Sequence, residues 1–225
     1  MGHNVRSRGR RAVGIDPGTK SFDVCGIEGD RLFLDETIPV AELSANPQLL
    51  VDLLQAAAPL DMVVGPSGYG LPLIQARDLG SRDIDMMLLS EERDRGRATI
   101  IGGMHRILNL LKESGLPIHF LPAVIHLSTV PAHRKANRID MGTVDKLCAV
   151  ALGIWDQSQS LNLDYNATSF IYVELGGAFT AVITVENGKI VDGLGGTSGP
   201  LGYLALGAMD GTSSSWRESE WINRR

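Results

Sequence analysis

Apolar and polar residues alternate through three successive runs near the start of the chain, 12–15, 22–27 and 31–38, and this period of two predicts three strands. Gly29-Asp30 separates the second and third runs and reads as a tight hairpin turn. The period then changes. Leu49, Leu50, Leu53 and Leu54 fall at helical spacing and predict a helix over 47–58, with Asn46 as its N-cap, Pro47 in its first turn and Pro59 closing it. A short apolar run at 62–64 predicts a strand that feeds a glycine-rich loop, 65–70. A further helix is expected between 91 and 113, clearest over 107–112. A strand follows at 117–121 and a helix at 144–155.

The period of two returns at 169–175, 179–186 and 189–193. Asn187-Gly188, between the last two runs, is a strong hairpin signal. Residues 157–166 are polar and read as a crossing between domains. The expected organisation is a first domain over 12–156, a crossing over 157–167 and a second, partial domain over 168–225. The second has its meander and an expected helix at 203–209, then a patternless polar stretch, 211–225. Three strands and one helix bury little core alone, so the chain reads as truncated within its second domain.

The two meanders share a device. In AVGIDPGTKSFDV the first strand ends in Asp16, and Pro17-Gly18-Thr19-Lys20 turns the chain. In IYVELGGAFTAV the strand ends in Glu174, and Gly176-Gly177 turn it, with Thr180 beyond. Each turn alone reads as an ordinary β-turn. Two in matching strand contexts suggest two half-sites for one anion, because glycine lets backbone N–H groups approach phosphate oxygens.

Composition narrows the partners. The 225 residues are 44% hydrophobic and 21% charged, with a net charge of −5, values of an ordered protein for which nucleic acid is not the expected partner. Arg6, Arg8, Arg10 and Arg11 form a short basic arm that reads as a solvated tail. No apolar run is long enough to span a bilayer, so no membrane association is expected. Cys25 and Cys148 lack metal spacing and read as core thiols of a reducing cytoplasm.

VGIDPGTKSFDV (13–24) and YVELGGAFTAV (172–182) resemble the two phosphate motifs of the actin-like ATPase superfamily, which includes sugar kinases, acetate kinases, chaperone ATPases and actin. RIDMGTVDKLCAVALGIW (138–155) resembles its connecting motif. The resemblance implies an α/β, ribonuclease-H-like fold with the first domain complete and the second partial, two such domains clamping ATP with Mg²⁺. Residues 188–211 are similar to acetate kinases. GPSGYGLP (65–72) and residues 122–146 resemble a mostly archaeal family labelled predicted butyrate kinases. Glu174 departs from the aspartate usual in the second motif, and the adenosine motif has no match.

The resemblance implies roles residue by residue. Asp16 would hold Mg²⁺ through water and act catalytically, and Glu174 would be a second metal ligand. Gly18, Thr19, Lys20, Gly176, Gly177 and Thr180 would grip the phosphates. Asp140 is either a helix N-cap or a catalytic acid, while Lys146 reads as a surface residue pairing with its neighbours. Arg134 and Arg138, four residues apart, suit a carboxylate held against a triphosphate, the alternative being a solvated loop. His126 and His133, seven apart with no third partner, are poor metal ligands. Ser67, Tyr69, Gly195, Gly196 and Thr197 would line the acceptor pocket, or merely shape loops.

The expected activity is phosphoryl transfer from Mg-ATP to a butyrate-like carboxylate, a small-molecule acceptor, slow or absent in the chain as written. An acceptor-independent ATPase or nucleotide-sensing module is the alternative. A two-metal nuclease is disfavoured by the negative charge and by Lys20 in the first turn. The open sheet edge of a half-domain leaves a homodimer open as a further option.

Overall fold

The computed structural model describes residues 9–18, 20–91, 100–176, 180–196, 199–203 and 207–208, without the side chains of 100–102. The chain forms two compact units, Met1–Pro122 and Ala123–Arg225.

The first unit is built on the predicted meander. β1 (Arg11–Pro17), β2 (Ser21–Glu28) and β3 (Arg31–Pro39) pair antiparallel in sequence order. β2 alternates as expected: Phe22 and Val24 point inward, while Cys25 points to solvent and is not the core thiol anticipated. β4 (Met62–Val64) adds to the other edge of β1 in parallel, followed by β6 (Ile118–Phe120), also parallel. β5 (Ile74–Gln75) closes that side antiparallel, giving the order β3-β2-β1-β4-β6-β5.

α2 (Gln48–Ala56) buries Leu50, Val51 and Leu54, and α4 (Ile100–Glu113) buries Ile107, Leu108 and Leu111, so each presents the face that its spacing foretold. Two helices of this unit were not anticipated. α1 (Val40–Ala45) follows β3 directly and buries only Leu43. Asn46 is therefore the C-cap of α1, and the N-cap position of α2 is taken by Pro47, a correction to the expected cap. α3 (Ser81–Leu88) buries Ile84 and Met87. Two inward residues in eight make a weak periodic signal.

The second unit holds β7 (Phe170–Leu175), β8 (Thr180–Glu186) and β9 (Lys189–Leu194) in an antiparallel sheet. Asn187 and Gly188 turn the hairpin with φ of 51° and 70°, the left-handed pair that this turn type requires. A short helix, α5 (Ala132–Lys135), precedes α6 (Val144–Leu161). α6 packs on the start of β7, where a Cβ at Gly153 would lie 3.1 Å from the Phe170 ring. The core here contains Val124, Met141, Val150, Ile183 and Val185.

Two boundaries differ from expectation. α6 runs on to Leu161, so the polar residues 157–161 are helix rather than a crossing, and Tyr165–Ala167 is a 3₁₀ turn. Contacts group α6 with the second sheet, so the division falls after Pro122 rather than at 156. The helix expected over 203–209 falls largely outside the described residues, as does 211–225.

Leu108, fully buried in the first unit, gives a direct test of this core. Leu108→Ala should lower the unfolding free energy by about 2–5 kcal/mol, read as a drop in the urea midpoint with an unchanged slope.

Candidate functional site

In the first unit the site begins where β1 ends. Asp16 is exposed and lies opposite Asp23 of β2 in the strand register. Like charges directly opposite are unfavourable in a bare hairpin, an arrangement that a bound cation relieves. Thr37 of β3 donates its hydroxyl to Asp23 Oδ1 at 2.6 Å and steadies that carboxylate. Pro17 pairs with Phe22, and the Gly18 N–H donates to the Asp16 carbonyl at 3.1 Å, which tightens the turn. A Cβ at Gly18 would lie 2.8 Å from the Ser21 carbonyl oxygen, so the turn closes only around glycine. Thr19 lies outside the described residues. Lys20 is exposed, and its carbonyl accepts from the Val40 N–H at 3.0 Å, which ties the turn to the start of α1. Beside this turn is a cavity of about 130 Å³, walled by Pro17 and Gly18 and by residues of β2, α1 and α4.

In the second unit the strand that ends in Glu174 meets the first turn of α6. Lys146 is buried, with its ammonium 2.7 Å from Glu174 Oε1 and 2.5 Å from Asp145 Oδ2. Tyr172 donates to Glu174 Oε2 at 3.0 Å, and Thr143 donates to Asp145 Oδ1. Burial alone would lower the lysine, but the two carboxylates outweigh it and hold Lys146 above its ordinary value. Burial would likewise raise Asp145, yet the hydrogen bonds from Lys146 and Thr143 hold it below. Burial and the bond to Glu174 push Tyr172 up to about 12. Lys146 is thus an internal ion-pair partner, not the surface residue expected. Both Glu174 oxygens are engaged, two residues before Gly176.

Asp140 is also buried, and its Oδ1 accepts the Gly142 N–H at 2.8 Å. The N-cap of α6 is Thr143, so the cap reading of Asp140 is corrected: its side chain closes a turn two residues on. Against it lies Gly196, at φ 56°, where a Cβ would fall 1.5 Å from Asp140 Oδ2. A Cβ at Gly193 would fall 2.0 Å from the Met141 carbonyl oxygen. These glycines let the loop after β9 press on the 140–142 turn. Gly195 is buried in the same loop, and Thr197 lies outside the described residues. Thr180 donates its hydroxyl to the Leu201 carbonyl at 2.7 Å and so pins this loop to the start of β8. Gly176 accepts from the Tyr203 N–H at 3.1 Å, while Gly177 falls outside the described residues.

The remaining candidates are placed as follows. Arg134 is exposed and paired with Asp192 of β9 at 2.9 Å. Arg138 is exposed beyond the end of α5, so no continuous helix joins the two arginines. His133 is exposed, and burial lowers the His126 pKa. Ser67 is buried; its hydroxyl donates to the Gly65 carbonyl at 2.8 Å and accepts the Leu121 N–H at 3.1 Å, which fixes the loop after β4. Tyr69, half-buried, donates its N–H to the Met87 carbonyl at 3.0 Å. Asp23 and Lys146 are the site residues that sequence reasoning missed. The visible signal for Lys146 was Glu174 itself, whose extra methylene reaches the lysine. Among the described residues no group of three or more metal-type side chains converges, and no helix is long and apolar enough to cross a membrane.

Residues 14–216 match the family described as protein of unknown function DUF1464. The chain belongs to that family. No curated protein matches the sequence. Among solved structures, acetate kinase from Entamoeba histolytica is similar over 95% of this chain, at 11% identity and a TM-score of 0.54. A propionate kinase from Francisella tularensis subsp. tularensis SCHU S4 is similar over 95%, at 12% identity and 0.53. The chain spans 63% of the first and 67% of the second. At these identities the likeness establishes the fold alone: an α/β, partial ribonuclease-H-like fold, as in those kinases.

The ion-pair network sets a testable pH window. Lys146→Met leaves two half-exposed carboxylates facing each other and should cost about 2–4 kcal/mol near neutrality. The depressed Asp145 contributes stability above its ordinary value of 3.8 and loses it as pH falls below. The raised Lys146 contributes below 10.5 and loses it as pH rises beyond. Urea melts across pH should therefore show the wild-type advantage inside that window and its decline outside.

Proposed function

We propose that the protein is an ATP-dependent kinase that transfers the γ-phosphoryl group of Mg-ATP to a short-chain, butyrate-like carboxylate. The observation that carries this reading is the repeated device: in each unit an antiparallel meander ends its first strand in an acid and turns on glycine, within an acetate-kinase-like fold.

The residues fit the groups they would hold. Hard oxygen donors suit Mg²⁺, and Asp16, with Asp23 opposite, supplies them at an exposed strand end where water-mediated binding is open. Gly18 leaves the turn's backbone accessible to phosphate oxygens, Thr19 would add a hydroxyl, and Lys20 a point charge. Mg²⁺ supplies neutralisation of the phosphate oxygens and a fixed orientation for them. In the second unit Gly176 and Gly177 would offer a glycine turn of the same kind to phosphate oxygens. Glu174 acts there as a partner of Lys146 that fixes the base of that turn, rather than as an open metal ligand. In the transfer, a carboxylate oxygen bonds to the γ-phosphorus as the bond to the bridging oxygen breaks, and ADP leaves. Asp140, pressed against the Gly195-Gly196 loop, positions that loop, and the exposed Arg138 would offer a guanidinium to an anion.

Calorimetric titration of Mg-ATP and Mg-ADP tests this reading. Wild type should bind both, and Asp16→Asn combined with Lys20→Ala should weaken binding by about tenfold or more. Equal affinity in the double variant contradicts the phosphate assignment. ADP release that proceeds without regard to added carboxylate points instead to an ATPase.

A further inference from the structure

α4 carries Gly102-Gly103 in the first turn of its described span, and glycine is a poor helix former. Glycine in a helix usually admits a close neighbour. Gly103 does not: it is buried, yet among the described residues a Cβ there would meet only Ser44 Oγ, at 4.0 Å. Its backbone is not in the left-handed region either. Among the described residues neither strain nor crowding asks for glycine at this position. What the missing side chain leaves is the 130 Å³ cavity beside the first turn.

The walls of that cavity have a direction. Phe22, Leu43 and Ile107 are core residues, and Val40 and Met104 complete an apolar lining whose one polar side chain is Ser44. The remaining wall is Pro17-Gly18, the turn assigned to phosphate. An amphiphile seated here places its tail among the side chains and its polar end toward the turn. A dry cavity of about 150 Å³ accepts a six-carbon ring, so 130 Å³ admits an unbranched tail of about three to five carbons.

We propose that this cavity binds the alkyl tail of the acceptor carboxylate and that Gly103 sets the chain length it accepts. The proposal rests on the carboxylate-kinase reading for the identity of the polar end, but the tail site stands on geometry alone. It implies a preference for butyrate over acetate of about a hundredfold, since each of the two extra methylenes buried in an apolar pocket discriminates by about tenfold or more.

The test uses ¹³C-methyl methionine labelling of the whole chain, with the Met104 signal assigned through Met104→Leu. Butyrate, acetate and 1-butanol are titrated into wild type and into Gly103→Leu, whose new side chain enters the cavity from a helix that it favours. Butyrate and 1-butanol should both shift Met104 in wild type and acetate only weakly, and Gly103→Leu should abolish the shifts while retaining the wild-type circular dichroism. Gly103→Ala, which removes less volume, should give an intermediate loss and guards against misfolding of the leucine variant. Shifts without any binding of Mg-ATP or Mg-ADP leave the pocket standing and remove the kinase reading. Acyl phosphate formation with an unmoved Met104 signal, or with a chain-length preference unchanged by Gly103→Leu, overturns the pocket and leaves the kinase reading intact.

Discussion

One buried ammonium organises the second unit. Lys146 enters in the first turn of α6, and its charge is met by Asp145 beside it and by Glu174 at the end of β7. A lysine taken out of water is costly unless fully paired, and here two carboxylates, themselves held by Thr143 and Tyr172, complete the set. The helix start and the strand end are thereby locked together where the second glycine turn begins. The 140–142 turn is held against the end of β9 and the loop after it by close packing, which glycine at 193 and 196 permits.

The two units handle charge in opposite ways. In the first, Asp16 and Asp23 lie opposite one another and exposed, an arrangement that water and a cation can serve. In the second, the acid at the equivalent strand end is neutralised internally. The same local topology thus offers one exposed carboxylate pair and one largely buried network, so the repeat is not chemically symmetric. That asymmetry accounts for glutamate at 174: an aspartate at that strand end is one methylene shorter than the span to the lysine.

Much of the fold was legible because it is local. The alternation in β2 and the Asn187-Gly188 turn each encode their geometry within a few residues, and both matched. α1 and α3 escaped because each buries only one or two side chains, too few to show a period. Residues 157–161 were read as a linker because they are polar, yet they continue α6, whose other face packs on β7. The site was legible as two turns and not as a network. Lys146 and Glu174 are distant in sequence, as are Gly196 and Asp140, and no spacing rule joins them. The cavity was invisible for the same reason, since Gly103 and Gly18, distant in sequence, become walls of one cavity only in the folded chain.

The most direct measurement of the central claim is ³¹P NMR of a single turnover, with the chain in molar excess over Mg-ATP and with carboxyl-¹³C butyrate present. The account predicts ADP together with an acyl phosphate signal split by coupling to the labelled carbon. ADP accompanied only by inorganic phosphate, at a rate indifferent to butyrate, would contradict it.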